Sequence, residues 1–293
     1  MIVVGDLVTD VLVTHDRPIA FGSDTAAAIT VSGGGQAANT AAWLVRAGRP
    51  VTLVAAVGDD VAGQERVAEL AAAGVRCAVR AHPGAVTGSV VVLAGPAERT
   101  MITDRGASAL LDPADVVAAI AASQAQHLHL SGYPLLHEGS RRAGLAALSA
   151  AAEHGLTTSV DAASAAPLRS VGAEAFLAWV RGADLLLANA DEAEVLAGPG
   201  LAAEQAARLT GHVANAVVKR GAAGAVWREM SGKSWSVPGA SVPVEDTTGA
   251  GDAFAAGLLA AWCGGAGPVE ALTAGAALGA EAITRIGGRP SPG

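Results

Sequence analysis

Short apolar runs of strand length alternate with longer amphipathic stretches along most of this chain. The apolar runs predict strands at residues 2–4, 51–57, 75–79, 126–130, 157–161, 184–188 and 215–219. Amphipathic stretches between them, such as residues 61–73, predict helices. Strands that alternate with helices in this way predict an α/β fold, with a mostly parallel central sheet covered by helices.

Two stretches interrupt this alternation with short pieces that are typical of exposed ribbons. Residues 15–32 lack a helical period, and residues 87–105 contain a hairpin that turns at Gly95-Pro96. We expect the two ribbons to pair as one small β-sheet that forms a lid. Such a lid would exclude water from an active site in which hydrolysis competes with transfer. The core would then consist of residues 1–14, 33–86 and 106–293.

Composition narrows the classes of function. The 293 residues are 51% hydrophobic and 16% charged, which suits a large packed core and argues against disorder. The net charge is −8 and basic residues do not cluster, so we expect no nucleic-acid partner. No apolar run reaches the roughly 18–20 residues of a membrane helix, and no secretion signal is visible. We therefore expect a cytoplasmic protein with no membrane partner.

The most informative stretch begins at Asp246 and reads DTTGAGDAF. Gly249-Ala250-Gly251 leaves the backbone nearly bare, and an apolar run of helical composition follows Asp252. A helix start presents N–H groups without intrahelical acceptors, so this one predicts an anion site. Asp252 beside it suits a base that takes a proton from a hydroxyl during phosphoryl transfer. The alternative is an ordinary glycine-rich turn followed by a helix-start acid.

A second glycine turn, at residues 33–35, opens a helix that carries Asn39. The amide of Asn39 offers both a donor and an acceptor to a polyol. Asp10 follows the first strand and is flanked by apolar residues, where burial without a purpose would be costly. In open α/β sheets ligands bind beyond the carboxyl ends of strands, so both side chains are candidates for acceptor binding.

Two later strands also end in polar residues. Asn189 and Glu192 directly follow an apolar strand, three positions apart at a predicted helix start. They could hold the water shell of Mg²⁺, or they could form a capping box of the helix itself. Lys219 and Gly221 end the next strand and either border a nucleotide or make a turn between strands.

Together these motifs resemble the PfkB-type carbohydrate kinases, which have a ribokinase-like fold. The resemblance rests on the Gly-Gly turn with Asn39, the two ribbons, Asn189-x-x-Glu192, Lys219-x-Gly221 and DTTGAGDAF, and it covers essentially the whole chain. It implies a three-layer α/β/α sandwich with a mostly parallel central sheet and a small β-sheet lid. It further implies an ATP-dependent kinase that phosphorylates a hydroxyl of a small sugar or related polyol, with Mg²⁺ as a cofactor.

The resemblance implies roles for individual residues. The catalytic set would be Asp252 as the base, with Gly249, Ala250 and Gly251 as N–H donors. The acceptor would be held by Asp10, Gly34, Gly35 and Asn39. The nucleotide side would comprise Asn189, Glu192, which would reach Mg²⁺ through water, Lys219 and Gly221. Asp246 and Thr248 would lie at a site for a monovalent cation such as K⁺, and the lid would pair two subunits in a homodimer.

Departures from the family pattern bear on the acceptor. Ribose kinases of this type usually carry an amide where this chain has Val8, and a lysine where it has Gln36, so ribose itself is disfavoured. Gly275 stands at the position expected for a nucleotide-side Asn. Arg99 and Arg105 are the basic residues near the hairpin, which favours an uncharged sugar or a nucleoside. The alternatives are a nucleoside kinase of the adenosine or pseudouridine type and a non-catalytic sugar-binding regulator.

Overall fold

The computed structural model describes residues 1–95 and 99–290, except for the side chain of Arg99. The strands are β1 (Ile2–Val4), β2 (Val8–Thr14), β3 (Ala28–Gly34), β4 (Thr52–Gly58), β5 (Arg76–His82), β6 (Thr87–Ala94), β7 (Arg99–Gly106), β8 (His127–Ser131), β9 (Thr157–Asp161), β10 (Leu185–Asn189), β11 (Asn215–Lys219), β12 (Ala225–Glu229) and β13 (Ser234–Val237). The helices are α1 (Gln36–Arg46), α2 (Val61–Ala72), α3 (Pro113–Ala121), α4 (Tyr133–Leu136), α5 (Glu138–Glu153), α6 (Ala165–Val171), α7 (Ala173–Trp179), α8 (Ala190–Ala197), α9 (Ala202–Leu209), α10 (Ala250–Trp262) and α11 (Pro268–Ala282).

The larger sheet has nine strands in the order β13-β12-β11-β10-β9-β8-β1-β4-β5. The strands from β11 to β5 in this order are parallel, while β12 and β13 form an antiparallel edge. Parallel strands end at the same edge of a sheet. The polar residues that follow β8 to β11 therefore gather at one edge.

Alternate residues of the buried strands face two separate cores. Ile2 and Val4 belong to one apolar cluster, whereas Val3 between them belongs to the other. Leu186 lies in the first cluster and Leu187 in the second. Because side chains alternate across a strand, helices cover the sheet on both faces. The predicted three-layer α/β/α arrangement is thus confirmed.

The second sheet has four strands in the order β3-β2-β6-β7, so the two predicted ribbons lie in one small sheet but are joined through β2 rather than paired directly. It also contains β2, which the sequence interpretation had placed with the core. The apolar residues Val11 and Val13 of β2 lie on one face of this small sheet. Gly95 precedes the residues that the structure does not describe, and the predicted turn partner Pro96 falls among them.

The predicted strands of the larger sheet are confirmed with small shifts. Residues 2–4, 157–161 and 215–219 begin and end where the pattern placed them, and the strand predicted at 75–79 extends to His82. Within the described parts of the chain, no helix combines the length and the apolar character that crossing a membrane requires.

Candidate active site

A cleft of about 740 Å³ lies where the ends of β9, β10 and β11 face the start of α10. Asp161, Asn189 and Lys219 line it from the strand ends, and Gly251 and Asp252 line it from the helix. Ligands bind at this edge of parallel α/β sheets. The fold thus brings together residues that are far apart in the sequence.

Helix α10 begins at a glycine with left-handed backbone geometry. Gly249 has a φ of 72°, and a Cβ atom there would lie 2.4 Å from the carbonyl oxygen of Gly288. The first intrahelical hydrogen bond runs from the Ala253 N–H to the Gly249 oxygen over 2.8 Å. The N–H groups of residues 250–252 precede that bond and lack acceptors within the helix. That of Ala250 donates to the Thr247 oxygen at 3.3 Å, so those of Gly251 and Asp252 suit an anion best.

Asp252 lies in the first turn of α10 and forms part of the cleft wall. Its Oδ2 accepts a hydrogen bond from Nδ2 of Asn39 at 2.9 Å. Burial raises the pKa of Asp252 to about 8; the bond from Asn39 acts to lower it, and the carboxylate of Asp161 acts to raise it. A carboxyl group that titrates near neutral pH can accept and release a proton, as a general base must.

The amide of Asn39 is held at both ends. Nε of Arg289 donates to Oδ1 of Asn39 at 3.3 Å. A guanidinium group has no acceptor, so Oδ1 must face Arg289 and the donor Nδ2 must face Asp252. Arg289 lies near the C-terminal end of the described chain, and the sequence interpretation did not place it in the site.

Missing side chains at the end of β3 make room for two charged groups. A Cβ atom at Gly33 would lie 2.0 Å from Nη1 of Arg289, and one at Gly34 would lie 2.1 Å from the Asp10 carboxyl group. These distances are far below van der Waals contact, so larger residues would displace Arg289 or Asp10. The predicted acceptor residues Asp10, Gly34 and Asn39 therefore lie close together, and the bond from Asn39 to Asp252 connects them to the cleft.

Gly35, the fourth predicted acceptor residue, turns the chain into α1. Its φ is 100°, and a Cβ atom would lie 2.5 Å from the carbonyl oxygen of Asp6. The Asp6 carboxylate accepts from the Ala37 N–H at 3.2 Å and pairs with Nη1 of Arg105 at 3.3 Å. Asp6 thus caps the start of α1 and is the ion-pair partner of Arg105.

Three charged side chains are buried together at the ends of β9, β11 and the start of α8. Nζ of Lys219 donates to Oδ2 of Asp161 at 2.6 Å. Burial lowers the pKa of Lys219, but the carboxylates of Asp161 and Glu192 outweigh it and raise the pKa overall. Burial, with the Asp161 carboxylate acting in the same direction, raises the pKa of Glu192 to about 7. Lys219 therefore stays charged between two carboxyl groups that compete for its positive charge.

Asn189 and Glu192 form the capping box that was one of the two sequence alternatives. The Asn189 side chain accepts from the Glu192 N–H at 2.9 Å, and Glu192 accepts from the Asn189 backbone N–H at 2.8 Å. The other Glu192 oxygen accepts from Nδ2 of Asn189 at 2.7 Å. Each carboxylate oxygen accepts one hydrogen bond from Asn189 and keeps a second lone pair, which can accept from the water shell of a metal ion.

The far part of the cleft is apolar. Gly221 lines it in the turn that joins β11 to β12, with a φ of 53°, and a Cβ atom there would meet nothing within 4 Å. Small and apolar residues also line the cleft and suit a flat heterocyclic ring, namely Val242, Val244, Phe254, Ala276, Gly279, Ala280 and Ile283.

Gly275 does not face the cleft, contrary to the sequence interpretation. It is buried against α10, where a Cβ atom would lie 2.9 Å from the carbonyl oxygen of Phe254. Successive residues of a helix point about 100° apart, so an error of one position rotates a side chain out of a site. The next residue, Ala276, lines the cleft instead.

Asp246 and Thr248 are joined in the loop before α10. Oδ1 of Asp246 accepts from the N–H of Thr248 at 2.9 Å and from its hydroxyl at 2.7 Å. Oδ2 accepts from the Gly287 N–H at 2.9 Å. Asp246 thus ties this loop to the segment that follows α11 and that carries Arg289.

Comparison with known proteins decides the family. The pfkB family carbohydrate kinase profile matches residues 1–292. The chain belongs to this family. It is 32% identical over 291 residues to an ATP-dependent ribose-1-phosphate kinase from Halopiger xanaduensis, which covers 97% of this chain and 91% of that protein. It is 32% identical over 248 residues to a 2-dehydro-3-deoxygluconokinase from Thermoproteus tenax, with 81% and 75% covered.

A solved structure of a putative ribokinase II from E. coli, in complex with ATP and Mg²⁺, has the same fold. Its TM-score is 0.87 at 23% identity, over 98% of this chain and 93% of that one. The predicted ribokinase-like fold and the predicted class, an ATP-dependent carbohydrate kinase, are therefore confirmed.

Two residues of this pfkB-family site were missed from the sequence. Asp161 ends β9, as Lys219 ends β11, so its position at a strand end was a usable signal. Arg289 offered none, because it follows the last helix in a segment of irregular structure.

Proposed function

We propose that this pfkB-family protein transfers the γ-phosphoryl group of ATP to a hydroxyl of a small sugar or related polyol, with Asp252 as the base. The observation that carries the proposal is the position of Asp252. Its carboxyl group has a raised pKa, accepts from Asn39, and lies at a helix start whose first N–H groups suit an anion. This arrangement serves phosphoryl transfer to an alcohol better than sugar binding alone.

Each group has one task in the proposed reaction. Asp252 removes the proton from the acceptor hydroxyl, and that oxygen attacks the γ-phosphorus while ADP leaves on the opposite side. The N–H groups of Gly249, Ala250 and Gly251 offset the charge on the phosphoryl oxygens. At this helix start, the N–H groups of Gly251 and Asp252 are the least engaged by the protein. Lys219, close to Gly251, adds a positive charge on the same side.

The residues of the cleft fit a magnesium ion bound through water. Lys219 pairs with Asp161, and Glu192, whose pKa is raised to about 7, would ionise fully beside a bound cation. Both oxygens of Glu192 accept from Asn189, which suits a hydrated ion. The ion would supply charge neutralisation for the phosphates of ATP. The apolar wall around Ile283 would hold the adenine base.

The acceptor would lie between Asp252 and the group formed by Asp10, Gly34, Gly35 and Asn39. Asp10 and Asn39 provide hydrogen-bonding groups for hydroxyls, and the missing side chain of Gly34 makes room for the Asp10 carboxyl group. The two curated relatives are named for different acceptors, ribose 1-phosphate in one and 2-dehydro-3-deoxygluconate in the other. The family therefore supports a sugar acceptor, and neither name transfers to this chain.

We propose a monovalent cation site at Asp246 and Thr248. Asp246 is 6% exposed and holds the loop directly before the anion site. A carboxylate is the oxygen ligand that hard cations prefer, and the Thr248 hydroxyl adds a second oxygen beside it. Activity should then be higher in KCl than in LiCl at equal ionic strength, and Asp246→Asn should abolish this difference. Equal rates in both salts would refute the site.

A homodimer through the small sheet is the proposed assembly. Cross-strand pairing places Ile29 and Val31 of β3 on the same face as Val11 of β2 and Ile102 of β7. Ile29, Val31 and Ile102 are 65%, 61% and 58% exposed. The opposite face carries Asp10 and so points toward the acceptor. An apolar face of this kind suits burial against a second copy.

The proposed function assigns the protein to the cytoplasm, where ATP is available. The test is ADP release by the purified protein with ATP, Mg²⁺ and a panel of sugars, sugar phosphates, sugar acids and nucleosides, with the product identified by ³¹P NMR. We expect a phosphomonoester of one sugar-class acceptor, formed in equal amount to ADP. A nucleoside as the best acceptor would replace the proposal by a nucleoside kinase. Saturable sugar binding without ADP release would make the protein a regulator.

A further inference from the structure

The amide of Asn39 connects the proposed base to the segment that follows α11. Asn39 is 4% exposed, and a buried amide needs a partner on each of its polar atoms. Its Nδ2 donates to Oδ2 of Asp252 at 2.9 Å, and its Oδ1 accepts from Nε of Arg289 at 3.3 Å. The contact with Arg289 therefore decides which end of the amide faces the base.

The opposite orientation of this amide would favour the wrong form of Asp252. It would turn Oδ1 toward Asp252, and an oxygen can bond only to a carboxyl group that has kept its proton. An N–H donor instead stabilises the ionised carboxylate, which is the form that takes a proton from an alcohol. In agreement, the bond from Asn39 acts to lower the pKa of Asp252 against the effect of burial.

Arg289 is itself fixed by two further contacts. Nη2 donates to the carbonyl oxygen of Gly34 at the end of β3 over 2.9 Å, and Nη1 donates to Oε2 of Glu69 in α2 over 3.3 Å. Burial lowers the pKa of Arg289 to about 10, so it stays charged at neutral pH. The titratable groups that act on it are Glu69, Asp10, Arg66 and Cys77. A planar fork with donors directed at three elements holds its position more firmly than a lysine would.

We propose that Arg289 is a positioning residue for phosphoryl transfer, which orients the Asn39 amide so that an N–H, and not an oxygen, faces Asp252. This inference rests on the proposed role of Asp252 as the base. It assigns Arg289 no contact with ATP or with the acceptor, since Arg289 acts through Asn39.

Other charges act on Asp252 from several elements. Asp161 of β9 and Asp6 after β1 act to raise its pKa, and Lys219 of β11 acts to lower it. Tyr133 of α4 also interacts with Asp252, and burial keeps it neutral by raising its pKa. A substitution of Arg289 leaves these four groups in the sequence, so a changed titration of Asp252 reports on Asn39.

The test follows the titration of Asp252 by ¹³C NMR in protein labelled at the aspartate carboxyl carbons, with Asp252→Asn identifying the resonance. Arg289→Met keeps an apolar stem and removes every donor, so Asn39 loses the contact that orients it. The pKa of Asp252 should rise by about one unit, and the acidic limb of kcat/KM should move to higher pH by the same amount. Arg289→Lys keeps the charge and can still donate to Asn39, so it should recover part of the shift.

Gly33→Ala displaces Arg289 without removing its charge. Gly33 lies in β3 without a positive φ, and a Cβ atom there would collide with Nη1 of Arg289. This variant should shift the titration in the same direction as Arg289→Met, although by less. Asn39→Ala should raise the pKa of the base on its own. Adding Arg289→Met to it should cause no further shift, because the two residues act as one unit.

Arg46→Met is the matched control. Arg46 lies on α1 like Asn39, but its side chain is 56% exposed and pairs with Glu281 at 3.2 Å. This variant should leave the titration of Asp252 unchanged.

An unmoved titration in both Arg289→Met and Gly33→Ala would overturn the proposal, and a lower melting temperature alone would reduce Arg289 to a structural role. An undiminished shift from Arg289→Met in the Asn39→Ala background would also overturn it, since Arg289 would then act by charge. If Arg289→Met does not fold, Gly33→Ala decides the result. If the wild type turns over no acceptor, the kinase function fails separately, and the NMR titration still decides the role of Arg289.

Discussion

Asp161 is expected to serve both the stability of the fold and the titration of the base. Its side chain is 3% exposed and accepts from Nζ of Lys219, which is itself 12% exposed. Asp161→Asn keeps the shape but removes the charge that Lys219 faces. Breaking a buried ion pair from one side costs about 3–5 kcal/mol, since the remaining charge is left without its partner.

We expect the lower end of this range, about 3 kcal/mol, because Glu192 also acts on Lys219. With a urea slope of about 3 kcal/mol per M, the unfolding midpoint should fall by about 1 M at unchanged slope. Asp59→Asn is the control, since Asp59 is exposed at the end of β4 on the same edge of the sheet. Its midpoint should move by no more than the equivalent of about 0.5 kcal/mol.

The same substitution should shift the pH dependence of catalysis. Asp161 acts to raise the pKa of Asp252, so its loss should lower that pKa. The acidic limb of kcat/KM should then move to lower pH in Asp161→Asn. An unchanged urea midpoint together with an unmoved limb would refute the coupling of Asp161, Lys219 and Asp252.

Three further predictions follow from burial and backbone geometry. The pKa of Asp252 is raised to about 8, so wild-type kcat/KM should rise with pH up to about 8. Between about pH 4 and pH 8 the folded state keeps a proton on Asp252 that the unfolded state has released, so the contribution of this group to stability falls as the pH rises. Asp252→Asn should therefore melt at a higher temperature than wild type at pH 8, as measured by calorimetry. Gly251→Ala, whose Cβ would lie 3.4 Å from Nζ of Lys219, should fold normally but lose activity. Gly249→Ala should lose stability as well, because Gly249 has a left-handed φ, and melting curves measure this difference. Val31→Lys should convert a dimer into a monomer in sedimentation analysis, and Leu201→Lys, at a 71% exposed site just before α9, should not.

Most of the fold was predictable because its pattern is local. Buried parallel strands read as short apolar runs, and residues 157–161 and 215–219 were predicted to the residue. Residues 8–14 were placed with the core, but they form β2 of the small sheet, where Val11 and Val13 share one face. They lie on an outward face, and a sequence does not show whether an apolar face meets a core or a partner.

The site was predictable where it depends on single loops and was missed where it depends on packing. The glycine turns and Asp252 carry local signals. Arg289 lies 250 positions from Asn39, and Asp161 lies 58 positions from Lys219, so their contacts arise from strand order and from the path after α11. Gly275 was predicted on the nucleotide side, but its neighbour Ala276 lines the cleft. Which residues of a helix face a site depends on how the helix is rotated, and the sequence does not show this rotation.

The most direct test of the account is the turnover of Asp252→Asn with saturating ATP, Mg²⁺ and acceptor. Glu270→Gln is the matched control, since Glu270 is an exposed acid in the first turn of the neighbouring helix α11. The account predicts a loss of about 10²- to 10⁴-fold in kcat for Asp252→Asn, with ATP binding largely retained, and little change for Glu270→Gln. A near-wild-type rate in Asp252→Asn would contradict the claim that this carboxylate takes the proton.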